Sequence, residues 1–576
     1  MTQFKPINTL TIPQMLEQSH RLYTSNVAMR YHDGNRFRQI TYDGLLLMIR
    51  QAAAVLRKVG VKPGDKVAIL SENRPAWGAT YFASLFIEAV NVPLDALLKV
   101  NEWSYILRNS GAKVLVTSSK FYAELEPLVE KIDSLEKIFC MDKVHDACYI
   151  FGEDNPPEIS APDVDPDTIA AILYTSGTTG LAKGVMLSHG NVTSDVYGAT
   201  ELIYMSDKDN FLSILPLHHT FECTAGFITP MSKGASITYA RGLASKLIIE
   251  DIKENKCTVL LAVPLLYEKM YAGIFRKIDQ QPSFTKAIFK TIYGVSKFLK
   301  KAANIEAGKK LFHGLRDKSG LGTIRLFVSG GAPLSSEVSE AFNTMGFKLI
   351  QGYGLTETSP IVTLNPLEKN KYGSIGRAVP NVQLKIDSPN NEGVGELVAK
   401  GPMIMKGYYK NDRATSETIK DGWLYTGDLA RVDDDGYYFI TGRKKNLIVT
   451  PGGKNVYPEE IEITLNNSPY ILESLVLGRK LRGGGEEIEA IIVPDLDYFG
   501  LRAEEKGISL SQMHIEQTIK LEVAKQCEQL ADYKRVKYMK IRDEDFEKTS
   551  TRKIKRYLYE LKPMTLNKGK DEDRKG

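Results

Sequence analysis

The chain is organised around one stretch, Tyr174-Thr-Ser-Gly-Thr-Thr-Gly-Leu-Ala-Lys-Gly-Val185, which follows an apolar run at residues 169–173. The apolar run predicts a strand, and the three glycines, four hydroxyls and one lysine after it predict a loop that cradles a polyphosphate. A flexible turn explains any one of these residues, but not all of them within twelve positions. Lys183 stands between Ala182 and Gly184, whereas a Walker A loop has Gly before the lysine and Ser or Thr after it. A kinase or a P-loop ATPase is therefore disfavoured.

Length, charge and cysteine content set broad limits on the protein. A chain of 576 residues is too long for one ordinary core, so at least two domains are expected. Its 75 basic and 70 acidic residues give a net charge of only +5, which does not favour a nucleic-acid partner. The five scattered cysteines lack metal-binding spacing and indicate a reducing compartment, the cytoplasm. The apolar pattern predicts neither a signal peptide nor a membrane span.

Strand-like and helix-like patterns alternate in the N-terminal part of the chain. A strand pattern at 66–70 precedes a helix pattern at 77–90, and another strand pattern follows at 112–117. Such alternation predicts α/β architecture, with stacked layers around a parallel, mostly buried sheet. Further strands are predicted at 211–215, 236–239, 259–263 and 324–328. Shorter strands at 382–386 and 395–398 predict a small β-rich subdomain before residue 440.

A different pattern after residue 440 predicts a separate α+β domain. Pro458 followed by two glutamates predicts the start of a helix, because Pro fits the first helical position and acids favour the positive end of a helix. Two strands at 474–477 and 490–493 and a long helix at 514–530 complete this domain. The predicted division is a large N-terminal domain at 1–444, a small C-terminal domain at 445–562 and a disordered charged tail at 563–576.

Further motifs rich in glycine and polar residues follow along the chain. They are Leu215-Pro-Leu-His-His-Thr-Phe-Glu222, Ser329-Gly-Gly-Ala-Pro-Leu334, Gln351-Gly-Tyr-Gly-Leu-Thr-Glu-Thr358, Tyr425-Thr-Gly-Asp428, Gly442-Arg-Lys-Lys-Asn446, Gly452-Gly-Lys-Asn-Val-Tyr-Pro458 and Lys548-Thr-Ser-Thr-Arg-Lys-Ile-Lys-Arg556. Taken alone, several have ordinary explanations: Gly-Gly-Ala-Pro and Thr-Gly-Asp are turn sequences, the two histidines suit a partly buried pair or a metal pair, and the last is a basic surface segment. Taken together with the first stretch, they resemble the adenylate-forming superfamily of acyl-CoA synthetases, peptide-synthetase adenylation domains and firefly luciferase. The resemblance spans about residues 12–556.

The resemblance implies an ATP site in the N-terminal domain. The residues implied to bind the phosphates are Thr175, Ser176, Gly177, Thr178, Thr179, Gly180 and Lys183. Those implied to lie along adenine and the α-phosphate are Gly331, Ala332, Pro333, Gln351, Gly352, Tyr353, which stacks on the base, and Thr356. Glu357 is implied to hold Mg²⁺, a hard cation that prefers carboxylate and phosphate oxygens. Asp428 and Arg443 are implied to bind ribose, since a carboxylate accepts from both hydroxyls and a guanidinium donates beside it.

The same resemblance implies an acid site and a mobile C-terminal domain. His219, rather than His218, is implied to lie at the substrate carboxylate. Because neighbouring side chains on an extended segment point in opposite directions, only one of the two is expected to face the site. The C-terminal residues implied to act are Lys445 as the hinge, Gly452 and Gly453 as the loop facing the pantetheine channel, and Lys553 as the adenylation lysine.

Two positions depart from the usual pattern of the superfamily. Ala182 replaces a proline, which removes rigidity from the phosphate loop and is not expected to remove function. Arg552 replaces the glycine that usually precedes the adenylation lysine, so the alignment of this motif that assigns that role to Lys553 rests on the remaining residues.

The implied reaction is ATP-dependent activation of a carboxylic acid to acyl-AMP with release of pyrophosphate, followed by transfer of the acyl group to CoA. ATP, Mg²⁺ and CoA are therefore the expected cofactors. The 64 residues between Pro264 and Ser329 resemble the insertion of long-chain fatty acyl-CoA synthetases, which implies a long-chain fatty acid as substrate. The alternatives are an acyl-acyl-carrier-protein synthetase, another carboxylic acid–CoA ligase and a non-catalytic nucleotide-binding relative. The last is disfavoured because Glu357, Asp428 and Lys553 are all present.

Residues 284–301 show a basic amphipathic helical pattern. The apolar set is Phe284, Ile288, Ile292, Val295 and Leu299, and the lysines predicted for the opposite face are Lys286, Lys290, Lys297 and Lys301. Two interpretations are open: a core-packed helix with solvated lysines, or a helix that binds anionic lipid at the inner face of a membrane. The oligomeric state is also open, with a homodimer among the alternatives.

Overall fold

A computed structural model of the chain describes residues 5–144, 148–175, 182–303, 305–481, 484–549 and 553–560. The chain divides into two compact units, Met1–Ile440 and Thr441–Gly576. This division lies close to the expected one after residue 444, and the roles given to the two domains stay predictions. The predicted tail at 563–576 lies outside the described residues. In the part of the chain that the structure describes, no helix is long and apolar enough to cross a membrane.

The first unit contains most of the described helices and strands. Its helices are α1 (Ile12–Tyr23), α2 (Tyr42–Lys58), α3 (Pro75–Phe86), α4 (Val100–Ser110), α5 (Ser119–Leu125), α6 (His189–Leu202), α7 (Thr229–Ser232), α8 (Ser245–Asn255), α9 (Pro264–Asp279), α10 (Ser283–Ala303), α11 (Gly308–Leu311), α12 (His313–Ser319), α13 (Ser336–Thr344) and α14 (Asp412–Thr418). Its strands are β1 (Val27–His32), β2 (Phe37–Thr41), β3 (Lys66–Leu70), β4 (Val90–Pro93), β5 (Ala112–Thr117), β6 (Lys137–Cys140), β7 (Ile169–Thr175), β8 (Lys183–Ser188), β9 (Asn210–Ser213), β10 (Ser236–Tyr239), β11 (Val259–Ala262), β12 (Leu326–Ser329), β13 (Leu349–Gly354), β14 (Ile361–Leu364), β15 (Arg377–Ala378), β16 (Gln383–Asp387), β17 (Gly395–Lys400), β18 (Gly407–Tyr408), β19 (Ile419–Lys420) and β20 (Trp423–Val432). Strand β21 (Tyr438–Arg443) crosses the boundary between the units.

The largest sheet has the strand order β15-β14-β13-β12-β11-β9-β10-β1-β2. The neighbouring pairs from β13 to β1 are parallel, and antiparallel pairs form only at the two ends of this sheet. Every residue of β10, β11 and β12 is buried. Such continuous burial is typical of parallel strands that are covered on both faces. The α/β fold class predicted from the sequence is confirmed.

A second sheet has the order β18-β8-β7-β4-β3-β5-β6. The strands predicted at 66–70 and 112–117 have those bounds as β3 and β5. The helix predicted over 77–90 was too long: α3 ends at Phe86, because Glu88 adopts a left-handed conformation (φ 63°) and the chain enters β4 at Val90. Helix α3 packs closely on Phe227, since a Cβ at Gly78 would lie 2.8 Å from the Phe227 ring.

The small β-rich subdomain predicted before residue 440 is a sheet with the order β16-β17-β20-β19, with β21 pairing with β20. Strand β20 was not predicted, and the Thr-Gly-Asp428 sequence within it also suits a turn. A β-bulge between β17 and β20 explains why a turn-prone sequence lies inside a strand. The register shifts between Glu396 and Val398, and Gly427 has a φ of +71°.

The second unit is an α+β domain. Its strands are β22 (Ile448–Val449), β23 (Asn455–Val456), β24 (Ile471–Lys480), β25 (Glu486–Pro494) and β26 (Tyr538–Ile541), and its helices are α15 (Pro458–Leu465), α16 (Leu496–Lys506) and α17 (Gln512–Cys527). Strands β24, β25 and β26 form one sheet. Apolar side chains of α15, α17 and this sheet share a buried core. The helix predicted to begin at Pro458 does so, and the two predicted strands lie within β24 and β25.

Candidate active site

The phosphate-loop motif joins two antiparallel strands. Strands β7 and β8 form an antiparallel hairpin that pairs Tyr174 with Gly184 and Thr175 with Lys183. A Cβ at Gly184 would lie 2.7 Å from the Ile172 side chain, which explains the glycine there. The predicted phosphate-binding residues inside the loop, Ser176, Gly177, Thr178, Thr179 and Gly180, lie outside the described residues.

The loop end of this hairpin, at Lys183, lies next to Glu357. Strand β18 pairs with β8 and places Tyr408 opposite Val185. Lys183 Nζ lies 5.1 Å from the centroid of the Tyr408 ring, and Tyr408 Oη donates to Glu357 Oε1 at 2.8 Å. Burial and the Glu357 charge raise the pKa of Tyr408, so its hydroxyl stays protonated and donates. The structure thus connects two predicted site residues, Lys183 and Glu357, through a tyrosine that the sequence analysis missed.

One local sequence feature could have indicated a role for Tyr408. It belongs to Lys406-Gly-Tyr-Tyr409, a glycine and two aromatic residues that follow an apolar run. The backbone confirms how tightly this segment is held, because Tyr409 N donates to Gly184 O at 2.8 Å and Met405 N donates to Glu357 O at 2.9 Å. The pairing depends on contacts distant in sequence, so local pattern alone did not reveal it.

The turn that carries Thr356 and Glu357 is fixed by its own backbone contacts. Residues Thr356–Thr358 form a 3₁₀ turn after β13. A Cβ at Gly354 would lie 1.5 Å from Pro360 O, so only glycine fits there. The buried Asp195 carboxylate accepts from Ile361 N at 2.8 Å. These contacts hold Glu357 beside the phosphate hairpin. One carboxylate next to the predicted phosphate-binding segment would fit Mg²⁺, which takes its other ligands from phosphate oxygens and water.

Tyr353 and Asp428 meet although 75 residues separate them in the sequence. Tyr353 Oη donates to Asp428 Oδ2 at 2.6 Å. Asp428 is only 4% exposed, and the bulge in β20 directs it toward Tyr353. Thr426 Oγ1 accepts from Asp428 N at 3.1 Å, and Glu396 Oε1 accepts from Gly427 N at 3.0 Å. The residues predicted for adenine and ribose are therefore neighbours.

The glycine turn predicted along adenine lies beside the same segment. Strands β12 and β13 are parallel and pair Ser329 with Gln351, so the turn containing Gly331, Ala332 and Pro333 and the segment containing Gly352 and Tyr353 lie at the same sheet edge. The carboxyl ends of parallel strands are the usual position of a ligand site. Gly331 requires its glycine, because its φ is +81°.

The two histidines depart from the expected geometry. They were expected to point in opposite directions on an extended segment, but residues 216–219 form a turn in which His219 N donates to Pro216 O at 3.1 Å. The two rings therefore lie side by side, with centroids 4.2 Å apart. His218 Nε2 lies 3.4 Å from Asp95 Oδ1. The ligand atoms of Asp95, His218 and His219 all lie within 4.8 Å of one another, a spacing that also suits a metal ion.

The second unit contains the remaining predicted residues. Arg443 ends β21, and Lys445 lies in a 3₁₀ turn over Lys444–Asn446. Gly452 and Gly453 form the exposed tip between β22 and β23, where Gly453 has a φ of +72° and its N donates to Thr450 O at 2.8 Å.

Lys553 is exposed at one end of a short hairpin. Its backbone N donates to Thr549 Oγ1 at 3.2 Å, its O accepts from Thr549 N at 2.8 Å, and Lys548 pairs with Ile554. Arg556 anchors the base of this hairpin. Its guanidinium contacts both carboxylate oxygens of Glu462 and donates to Val476 O at 2.9 Å. Burial raises the pKa of Glu462 to about 7, against the opposing effect of Arg556.

The family model, the similar sequences and the similar structure all point to the same class of protein. The AMP-binding enzyme family matches residues 16–409. The long-chain-fatty-acid–CoA ligase FadD15 of Mycobacterium bovis is 32% identical over 459 residues, which cover 75% of this chain and 74% of that protein. A feruloyl-CoA synthase of Amycolatopsis sp. is 29% identical over 462 residues, covering 79% and 84% respectively. The crystal structure of the anthranilate CoA ligase AuaEII with anthranoyl-AMP shares the fold, with a TM-score of 0.76 and 23% identity over 96% of each chain.

The chain belongs to the AMP-binding enzyme family, because the family match covers more than half of its length. The resemblance to the adenylate-forming superfamily, which rested on the sequence motifs, is confirmed. The names of the relatives refer to different acids, so family membership leaves the acid substrate of this chain open.

Proposed function

We propose that the protein is an ATP-dependent acid–CoA ligase, which converts a carboxylic acid to acyl-AMP with release of pyrophosphate and then forms acyl-CoA and AMP. The observation that carries this proposal is the pair of tyrosine-held carboxylates in the first unit. Tyr408 donates to Glu357 beside Lys183, and Tyr353 donates to Asp428. The first carboxylate suits the metal-bound phosphates and the second suits the ribose hydroxyls, so together they fit one nucleotide.

The chemistry of adenylation requires positive charge and positioning more than a covalent nucleophile. Attack of the acid on the α-phosphorus gathers negative charge on the phosphate oxygens. Bound Mg²⁺ supplies charge neutralisation at those oxygens. In this proposal Lys183 and Thr356 position the phosphates, His219 orients the acid, and Lys553 stabilises the charge that develops in adenylation.

Thioester formation is assigned to a second arrangement of the C-terminal domain. We propose that the Gly452–Gly453 tip lines the path of the CoA thiol, that Arg443 contributes to ribose binding and that backbone rotation at Lys445 changes the arrangement. The exposed, glycine-containing tip supports this role, because its open backbone can approach a ligand closely.

The acid is proposed to be a long-chain fatty acid. Support comes from the interval between Pro264 and Ser329, which forms helices α9 to α12, and from the similarity to a protein named as a long-chain ligase. Another carboxylic acid is the alternative, because feruloyl-CoA synthases are similar to a comparable degree. Acyl carrier protein is the alternative thiol acceptor.

An acid panel in a pyrophosphate-release assay tests the proposal. We expect ATP-dependent pyrophosphate release with palmitate or oleate, and production of AMP and acyl-CoA only when CoA is added. Activity with ferulate or coumarate but not with fatty acids would keep the ligase and replace the acid. No release with any carboxylic acid would favour a non-catalytic nucleotide-binding relative. Replacing CoA by acyl carrier protein in the same assay identifies the acceptor.

A further inference from the structure

Helix α10, Ser283–Ala303, concentrates positive charge. It contains five lysines and no aspartate or glutamate, and the whole chain has a net charge of +5. Lys297 pairs with Glu340 and Lys300 lies over the Tyr372 ring, while Lys290 and Lys301 are exposed. Such a local concentration attracts an anionic surface even though the protein as a whole is nearly balanced.

One face of α10 fixes the helix to the first unit. The Phe289 ring lies 5.8 Å from that of Phe275 on α9 and 5.5 Å from that of Phe312. Ser296 is buried and its hydroxyl donates to Thr344 O at 2.7 Å. Ile292 also packs against this core. These contacts orient the helix and determine which residues face outward.

A different face of α10 is an exposed apolar stripe. Phe284 is 77% exposed, Ile288 43%, Val295 47% and Phe298 68%. Their spacing places them on one side of the helix, over a length of roughly 21 Å at 1.5 Å per residue. The apolar face predicted from the sequence is therefore corrected: Ile292 belongs to the packed face, whereas Phe298 belongs to the exposed stripe.

Lysines border the stripe. The exposed Ala287, three positions after Phe284, continues the stripe. Lys290 follows Ala287 by three positions and Lys301 follows Phe298 by three, so both lie next to the stripe on the helix surface. Both are exposed. Lys297 is also exposed and its Nζ lies 2.9 Å from Glu340 Oε2. An apolar face with a lysine border is the arrangement of helices that lie in a membrane interface, where long basic side chains reach the headgroups.

A second copy of the chain fits this stripe poorly. A two-fold contact through α10 would bring the same helix against itself, and its five lysines would meet no carboxylate of the partner helix. Like charges at such a contact oppose association.

We propose that α10 binds the protein to the surface of an anionic phospholipid membrane, with Phe284, Ile288, Val295 and Phe298 in the interface and Lys290 and Lys301 at the headgroups. The helix lies on the membrane without crossing it. The binding requires no particular acid substrate and no activity, so it can be tested independently of the proposed ligase function.

Vesicle sedimentation with the full chain tests the proposal. Vesicles of phosphatidylcholine alone are compared with vesicles that also contain phosphatidylglycerol. We expect binding to the anionic vesicles only, with a loss of at least about fivefold when the salt concentration rises from about 0.1 M to about 0.5 M. The double variant Phe284→Asn/Phe298→Asn should lower the partition coefficient at least about tenfold, because two large apolar side chains are lost from the interface. Lys290→Gln/Lys301→Gln should weaken anionic binding without creating neutral binding.

A matched control uses the exposed pair on α17. Leu521 is 72% exposed and Lys520 is exposed beside it, so Leu521→Asn/Lys520→Gln removes the same kinds of side chain elsewhere. This control should bind vesicles as the unchanged protein does. Equal binding to neutral and anionic vesicles, no binding to either, or unchanged binding by Phe284→Asn/Phe298→Asn would overturn the proposal. A dimer in sedimentation velocity that the phenylalanine variant abolishes would assign the stripe to a second copy instead.

Discussion

The two units of the protein hold their functional groups in different ways. In the first unit, tyrosine hydroxyls donate directly to the carboxylates proposed to act, at 2.8 Å for Tyr408 and Glu357 and at 2.6 Å for Tyr353 and Asp428. In the second unit, Lys553 is exposed, and the nearby Arg556 forms an ion pair with Glu462. Substitution in the first unit should therefore change ligand binding itself, whereas substitution at the anchor in the second should change only how well a lysine is placed.

The largest effect is expected for Lys553→Ala. Removing a charge that acts on the developing phosphate charge should lower acyl-AMP formation by about a thousandfold. Transfer from supplied acyl-AMP to CoA should be nearly unchanged. Single-turnover assays of each half-reaction measure both values, with Lys555→Ala as a control lysine in the same segment. Equal losses in both half-reactions would show that Lys553 serves the fold and not adenylation.

Glu357→Gln should have the next largest effect, and Tyr408→Phe a smaller one at the same place. Loss of the metal-binding charge should lower kcat/KM for MgATP by about a hundredfold. Loss of the tyrosine hydrogen bond to a charged group should lower it by about tenfold. The neighbouring Tyr409 is a suitable control, because its hydroxyl donates at 3.4 Å to a backbone oxygen of Ser110. If Tyr408→Phe and Tyr409→Phe have equal kinetics, Tyr408 does not position Glu357.

Arg556→Lys tests the anchor in the second unit. Lysine keeps the charge but loses the forked geometry that contacts both oxygens of Glu462, so adenylation should fall by about tenfold and thioester transfer should fall less. The exposed pair of Arg535 with Asp532 provides the control substitution Arg535→Lys. The idea fails if Arg556→Lys lowers both half-reactions equally while the melting temperature also falls, because the pair then supports only the stability of the unit.

The smallest effect on activity is expected at Glu222, a buried carboxyl outside the tyrosine-held pair. Burial raises the pKa of Glu222 from 4.5 to about 8, against a hydrogen bond from Ser213 Oγ at 2.5 Å. Because the folded state holds the proton more tightly, this contribution to stability is complete below pH 4.5 and is lost as the pH rises toward about 8.

Glu222→Gln keeps the shape of the neutral acid and removes its titration. The free energy of unfolding, measured with urea at several values from about pH 5 to about pH 8, should therefore fall less steeply with pH in the variant than in the unchanged protein. Parallel curves would mean that Glu222 titrates normally in the folded state.

The sequence predicted several strands of the sheets, because these strands are short apolar runs bounded by glycine, proline or charge. It predicted β3 and β5 with the observed bounds. Among the strands it missed are β1 and β2 of the largest sheet and β18, a two-residue strand whose pairing to β8 depends on residues far away in the chain. Tyr408 was missed for the same reason, since local pattern does not reveal a long-range pair.

The errors at the histidines and at α10 have a common cause. The segment with His218 and His219 was expected to be extended, but a turn places the two rings side by side. In α10, periodicity found apolar residues on the helix, yet it could not distinguish the row that packs, with Ile292, from the row that is exposed, with Phe298. In both places the tertiary contacts decide, and single-sequence patterns do not contain them.

Direct detection of acyl-AMP is the most direct test of the central claim. The protein is mixed with MgATP and palmitate in the absence of CoA, and the quenched products are separated and identified by mass spectrometry. We expect palmitoyl-AMP in an amount close to that of the enzyme. It should disappear when CoA is added and should be nearly absent with Lys553→Ala. Formation of ADP and phosphate, or no acyl-AMP with any carboxylic acid, would contradict acyl adenylation, and an adenylate of another acid but of no fatty acid would contradict the fatty-acid assignment.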